Sequence, residues 1–281
     1  KIKMCGINGF HSKSLSRFNN VIVKMNSAIS HRGPDNSGVW LDKNSGMVLG
    51  HQRLSIIDLF VSGNQPMRSN SNRYILTYNG EIYNHLNIRR ELKKYKFDIK
   101  WQGSSDTETL LEAINFWGVK TTLQKIEGMF SFGIWDQKIR QLTLVRDRLG
   151  EKPLYYGYQG KGENKVFLFS SELKALKVHP EFKEEINRDA LALQLRHNCV
   201  PAPYSIYKDI FKLMPGHYIE LKEEELKKGL LPSSKSYWSL PNTSIHGNNN
   251  QLMLSEQKIQ IDLKKNLLST VKKQMMSDVP L

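Results

Sequence analysis

Period-two alternation in the second half of the chain limits the fold more than any other feature. From Met129 onward apolar side chains fall on every second residue: Phe130, Phe132 and Ile134, then Leu142 and Leu144, then Leu154 and Tyr156, then Phe167 and Phe169. Successive side chains of a strand point to opposite faces, so this spacing builds sheets that turn one face to a core. The runs are short and separated by turn residues, the signature of successive antiparallel strands.

Upstream the pattern is mixed. Residues 4–10 read as a first strand. Leu15, Phe18, Ile22, Met25 and Ile29 recur at helical steps, with Ser14 placed to cap the helix. Residues 31–38, His-Arg-Gly-Pro-Asp-Asn-Ser-Gly, read as a loop. Met47, Val48 and Leu49 form a short apolar strand, and Arg53 follows it just before an apolar run, where a charge needs a partner or a ligand. Residues 74–78 are β-branched and aromatic, hence a strand that breaks at Asn79-Gly80-Glu81. Residues 84–95 are helical, with Ile88, Leu92 and Tyr95 on one face. Ser105-Asp106-Thr107-Glu108 is a capping box before a helix over 109–117 that Gly118 ends. Further helices are expected over 171–176 and 187–197, and a strand over 217–221. Residues 222–250 are charged, then rich in Pro, Ser, Asn and Gly, and read as a linker or long surface connection. From Ser255 a new helix carries Ile259, Leu263, Leu267, Val271 and Met275 at four-residue steps, an apolar stripe whose partner is expected outside this chain.

The 281 residues suffice for one large domain or two smaller ones. Two cysteines, Cys5 and Cys199, give no disulfide framework and point to a reducing, cytoplasmic setting. No apolar run is long enough to span a membrane. The net charge of +14 invites a nucleic-acid reading, but the lysines are dispersed and often sit beside glutamates, as in Lys222-Glu223-Glu224-Glu225. A solvated basic surface is the expectation, with no nucleic-acid partner. No His or Cys pair has metal-ligand spacing, so no metal site is expected. Residue 1 is Lys and the chain closes at Ser277-Asp278-Val279-Pro280-Leu281, so both ends read as those of a fragment.

Five residues carry candidate chemistry, most of them beside a plainer reading. Cys5 follows Met4 and precedes Gly6. As a lone cysteine it reads as a small buried residue of the first strand. If Met4 is removed it carries a thiol and a free α-amine of pKa about 8, a nucleophile and a base on one residue. Asn79-Gly80 reads as a hairpin turn, or as a side-chain amide and a glycine N–H exposed together for an oxyanion hole. Asp106 reads as a first-turn acid favoured by the helix dipole. Arg53 is the unassigned charge.

Taken in order, the motifs resemble one family. Met4-Cys5-Gly6-Ile7, His-Arg-Gly-Pro-Asp at 31–35, Arg-Leu-Ser-Ile at 53–56, Tyr-Asn-Gly-Glu-Ile-Tyr-Asn at 78–84, Ser-Asp-Thr-Glu at 105–108 and the Asp-x-x-Gly-x-Lys-Pro-Leu-Tyr-Tyr turn at 147–156 are similar to the class II glutamine amidotransferase domain, as found in glutamine-hydrolysing asparagine synthetases. The resemblance implies an α+β fold, the N-terminal-nucleophile αββα sandwich of two antiparallel sheets. It implies that Cys5 attacks the side-chain amide of glutamine with its own α-amine as base. Asn79 and Gly80 would hold the oxyanion, and Arg53 the α-carboxylate. Asp106 would take the α-ammonium with help from Glu81, and Leu54, Ser55, Ile56 and Ile57 would wall the pocket. The domain would span 4–225, a linker 226–254, and 255–281 the first helix of an ATP-pyrophosphatase domain, since Ser277-Asp278-Val279-Pro280 is similar to the lead-in to that domain's loop. Glutamine hydrolysis needs no cofactor; ATP and Mg would serve the missing synthetase domain, which is the expected partner, with a homodimer left open. The acceptor would be aspartate, or alternatively a sugar acid of a surface polysaccharide. A non-catalytic packing module of the same fold is the remaining alternative.

Overall fold

The structure is a computed structural model that describes residues 4–13, 18–95, 99–249 and 253–279. Ser14, Leu15, Pro280 and the side chain of Phe18, all used above, lie outside the described residues. The elements are β1 (Gly6–Ser12), α1 (Phe18–Ala28), β2 (Asn36–Asp42), β3 (Met47–Arg53), β4 (Met67–Arg68), β5 (Tyr74–Ile82), α2 (His85–Lys94), α3 (Asp106–Lys125), β6 (Gly128–Asp136), β7 (Gln141–Arg146), β8 (Tyr155–Gln159), β9 (Val166–Ser170), α4 (Leu173–Lys177), α5 (Arg188–His197), β10 (Ile210–Lys212), β11 (His217–Lys222), α6 (Glu223–Lys228), β12 (Lys235–Ser236), α7 (Leu240–Asn249) and α8 (Glu256–Gln274).

Two six-stranded sheets form, in the orders β10-β8-β9-β1-β3-β2 and β12-β11-β7-β6-β5-β4. Every pairing within them is antiparallel. The alternating strands thus divide, β6 and β7 to one sheet, β8 and β9 to the other. Their inward faces meet in one core: Ile7, Leu49 and Phe169 from the first sheet pack with Ile75, Trp135 and Leu144 from the second. The outer face of the first sheet is covered by α1 and α4, where Ile22, Met25 and Ile29 are buried beside Phe10 and Leu168. The outer face of the second is covered by α3, through Leu110, Leu111 and Ile114 against Leu76, Phe132 and Ile134. Helix, sheet, sheet, helix is the sandwich the motifs implied.

Three local expectations are corrected. The stretch 31–38 was expected as a loop, yet its end opens β2, because Asn36 to Asp42 pair with Arg53 to Met47 of β3. The strand at 74–78 does not break at Asn79-Gly80. β5 runs on to Ile82, since all nine of its residues find partners on β6; a long continuous pairing outweighs the local turn preference of Asn-Gly. The helix expected over 109–117 begins earlier, at Asp106, with the Ser105 side chain accepting from the Glu108 N–H, and at Gly118 the backbone turns to a φ of 77° before a second helical segment that ends at Lys125. That φ suits glycine, and it ends the first segment where the sequence placed its stop.

The stretch read as a linker holds structure that packs on the domain. Leu226 of α6 is buried, β12 pairs with β11, and the Tyr237 hydroxyl donates to the Arg146 carbonyl at 2.9 Å. On α8 the side chains of Ile259, Leu263, Leu267 and Val271 are exposed, as is that of Met275, which caps it. The chain after it returns to the domain at Asp278, whose N–H donates to the Ile56 carbonyl at 2.9 Å. Among the described residues no helix is long and apolar enough to cross a membrane.

Candidate active site

One end of the sandwich opens into a cavity of about 310 Å³. Strand register brings its parts together. Cys5 precedes β1, and the pairing of Gly6 with Gln52 sets Cys5 opposite Arg53, the last residue of β3. Asn79 and Gly80 come from β5 of the facing sheet, and Asp106 from the first turn of α3. All of these line the cavity, with Leu54, Ile56, Ile57 and Glu81. Ser55 does not: it lies on the wall segment, and its N–H donates outward to the Asp35 carboxylate at 2.8 Å.

The Cys5 sulfur accepts from the Leu54 N–H at 3.3 Å and faces the Leu54 carbonyl at 3.4 Å. Burial pushes the Cys5 thiol up to about 11; the Leu54 backbone opposes the rise, the Asp106 charge adds to it, and Arg53 and Lys152 oppose it. Near neutral pH this is a thiol, which attacks only when a base takes its proton. The residue is anchored by Arg32 of the His-Arg-Gly-Pro-Asp motif. Its Nε donates to the Cys5 carbonyl at 2.8 Å, and its Nη1 to Glu172 at 2.9 Å.

Arg53 is buried, 5% exposed. Its Nη1 donates to the Phe60 carbonyl at 2.8 Å and to Asn64 Oδ1 at 2.9 Å, and its Nη2 to the Asp58 carbonyl. These oxygens are neutral dipoles. Among the described residues no carboxylate lies in ion-pair range of the guanidinium, so its full charge is left facing a cavity. A Cβ on Gly63 would overlap Nη2, so glycine is what lets the guanidinium lie there.

Asp106 supplies the opposite charge. Its Oδ2 accepts from the Tyr78 hydroxyl at 2.7 Å and the Ile82 N–H at 2.8 Å. Burial raises its pKa, while those two hydrogen bonds and the helix N–H groups oppose the rise. Glu81 is raised chiefly by burial, with Lys152 opposing.

On β5 the backbone alternates. The Tyr78 N–H leaves the β6 side to meet Gln65 Oε1 at 2.7 Å, and the Ile82 N–H meets Asp106. Gly80 lies between them, so its N–H takes the same edge, which lines the cavity. A Cβ there would come within 2.7 Å of the Phe130 backbone. The Asn79 side-chain amide is buried, and its Nδ2 has no hydrogen-bond partner. An unpaired buried donor costs about 1–3 kcal/mol, a cost a fold retains where a ligand supplies the acceptor.

Sequence reasoning missed Gly63, Gln65, Tyr78, Thr107, Met129 and Lys152, which also line the cavity. Lys152 lay in the charged turn after β7, where the motif's Asp147 collects the N–H groups of Phe130, Leu149, Glu151 and Lys152 on its two carboxylate oxygens. That turn delivers the Lys152 ammonium to Met4 Sδ, 3.3 Å away. Burial lowers the lysine's pKa, against the pull of Glu81 and Glu151.

The family model for the glutamine amidotransferase domain matches residues 4–238. The putative asparagine synthetase [glutamine-hydrolyzing] 2 of Methanocaldococcus jannaschii is 37% identical, over 99% of this chain and 53% of that protein. Asparagine synthetase [glutamine-hydrolyzing] 3 of Bacillus subtilis is 34% identical, over 79% of this chain and 36% of that protein. The chain thus spans about half, or less, of the length of these relatives. Among solved structures, the glutamine phosphoribosylpyrophosphate amidotransferase of B. subtilis superposes with a TM-score of 0.56 at 18% identity, covering 83% of this chain and 49% of that one, a likeness of fold. The chain belongs to the glutamine amidotransferase domain family, of class II type, close to the glutaminase half of asparagine synthetases.

Proposed function

We propose that this domain hydrolyses the side-chain amide of glutamine to glutamate and ammonia, and that the ammonia passes to an ATP-dependent synthetase domain that makes asparagine from aspartate. The observation that carries the first part is the unpaired Asn79 Nδ2 in the same cavity as the Cys5 sulfur and a guanidinium without a carboxylate. A packing module would have no use for an open cavity with an unpaired donor.

Glutamine is a zwitterion at one end and an amide at the other. Its α-carboxylate pairs with Arg53 through charge-assisted hydrogen bonds, and its α-ammonium with Asp106 and Glu81. Leu54, Ile56 and Ile57 enclose its methylenes, and Ser55 supports them from behind. Once Met4 is removed, the Cys5 α-amine takes the thiol proton and the sulfur attacks the amide carbon. The Asn79 amide and the Gly80 N–H hold the oxyanion of the tetrahedral adduct. The Cys5 α-ammonium so formed returns the proton to the leaving nitrogen, ammonia departs, and water then hydrolyses the thioester to glutamate. The thiol at a pKa of about 11 makes that base a requirement.

The names of the relatives, asparagine synthetase [glutamine-hydrolyzing], support the second part. Activation of aspartate calls for ATP and Mg, which would be bound outside this chain, and no step of its own residues uses them. Among the described residues no three His, Cys, Asp or Glu side chains cluster to hold a metal ion.

The test is glutamate release by the chain and by Cys5→Ala, with circular dichroism on both. Loss of activity with an unchanged spectrum is expected; turnover near the parent level in Cys5→Ala would remove the assignment.

A further inference from the structure

We infer that Asp278 is a positioning residue for Arg53, and that through it the segment after the last helix adjusts how tightly the domain holds glutamine. The inference rests on the reading of Arg53 as the group that binds the glutamine carboxylate.

The wall of the cavity from Leu54 to Asp58 belongs to no strand or helix, so it needs other restraints. Leu54 is held through Cys5 and Ser55 through Asp35. The peptide groups on either side of Ile57 are held by a residue 220 positions from Asp58. The Asp278 N–H donates to the Ile56 carbonyl at 2.9 Å, and the Asp278 Oδ2 accepts from the Asp58 N–H at 2.8 Å. These two bonds fix the peptide groups on both sides of Ile57, which lines the cavity.

Asp58 relays the restraint. It is buried and sits at a φ of 57°, the left-handed region that a non-glycine residue enters only when its surroundings hold it there. Its carboxylate is engaged by the Phe60 N–H at 3.2 Å, the Ser104 N–H at 2.9 Å and the Ser62 hydroxyl at 2.9 Å. Its N–H goes to Asp278, and its carbonyl receives Arg53 Nη2. One residue therefore links the carboxylate of Asp278 to the guanidinium. Freeing the Asp58 N–H releases the peptide that sets this φ, and the carbonyl that holds Nη2 turns with it. Asp278 is itself exposed, so its substitution leaves the core untouched.

A second anchor nearby, on α8 itself, supplies the control. Lys273 pairs with Glu127 at 2.6 Å and touches neither the wall nor Asp58. The experiment compares Asp278→Ala, Asp278→Asn and Lys273→Ala in the full chain. Hydrogen exchange reads the wall without glutamine: the Asp58 amide should exchange about tenfold faster in Asp278→Ala, from the loss of one charged acceptor, and as in the parent in Lys273→Ala. Glutamate release reads the relay: Asp278→Ala should raise KM about three- to tenfold with kcat unchanged. Asp278→Asn, which keeps an acceptor oxygen, should stay near the parent. In an Arg53→Ala background Asp278→Ala should add nothing, since both act through one group. Unchanged exchange, or an equal rise of KM in Lys273→Ala, would overturn the inference. If the parent releases no glutamate, the glutamine reading fails by itself and the exchange arm still decides whether Asp278 holds the wall.

Discussion

Replacing Asn79 with alanine separates chemistry from structure more cleanly than any other change in the cavity. In most buried positions, loss of an amide leaves a partner unsatisfied and costs stability. Here Nδ2 has no partner to abandon. Its removal returns the roughly 1–3 kcal/mol that a buried unpaired donor costs, against a comparable loss of packing. No sealed void opens, because the side chain already borders the 310 Å³ cavity. The two contributions oppose each other, so the net change in stability should stay within about 1 kcal/mol, a shift of a few degrees in Tm for a domain of this size. The rate should behave differently. Loss of one oxyanion donor lowers kcat by about a hundredfold to a thousandfold, or ~2.7–4 kcal/mol, and KM should hardly move because the bond is made only in the transition state. The assay is steady-state glutamate release with a thermal melt on the same preparation. An unchanged kcat, or a raised KM at constant kcat, would show that Asn79 does not meet the oxyanion.

Arg53→Ala should raise KM for glutamine most among single changes, and Gly63→Ala should do the same in part, because its methyl group displaces Nη2; a Gly63→Ala enzyme with parental KM would show that the guanidinium need not lie there. A form whose first residue is Cys5 should release glutamate at least about a hundredfold faster than one in which Met4 is retained, the usual contribution of a general base, since an amide nitrogen takes up no proton and Met4 lines the cavity; equal rates, with both N-termini verified by mass, would exclude the α-amine as base. Stability should fall on acidification. Burial lowers His11, His85 and His179 from 6.5 to about 4 and His51 to about 3. The unfolded chain binds these protons below about 6.5 while the fold does not, so their contribution is complete above that pH and is lost as pH drops toward the folded values. Urea midpoints at pH 7 and pH 5 check this, and a midpoint that does not fall at pH 5 would contradict it.

The residues that could be read from sequence are those whose reason is local. Alternation at Phe130, Phe132 and Ile134 announces a strand because the pleat is a local geometry, and Ser105 announces a helix start because its partner, the Glu108 N–H, is three residues on. What escaped is set by pairing across the chain. Asn79-Gly80 looks like a turn to any local rule, yet Ser131 and Phe130 opposite them keep the strand extended. That extension is what turns the Gly80 N–H to the cavity edge, so the misread turn and the candidate oxyanion donor are one feature. Arg53 followed the same logic: the sequence could say that its charge needed a partner or a ligand, and only the fold shows carbonyls from a nearby loop holding it without neutralising it. A buried guanidinium so held, and a buried amide so unpaired, are unfavourable to the chain by itself. They become favourable together when a carboxylate and an amide carbonyl arrive at the two ends of one small molecule, and the separation that the two sheets impose on them is then a specificity that neither stretch of sequence contains.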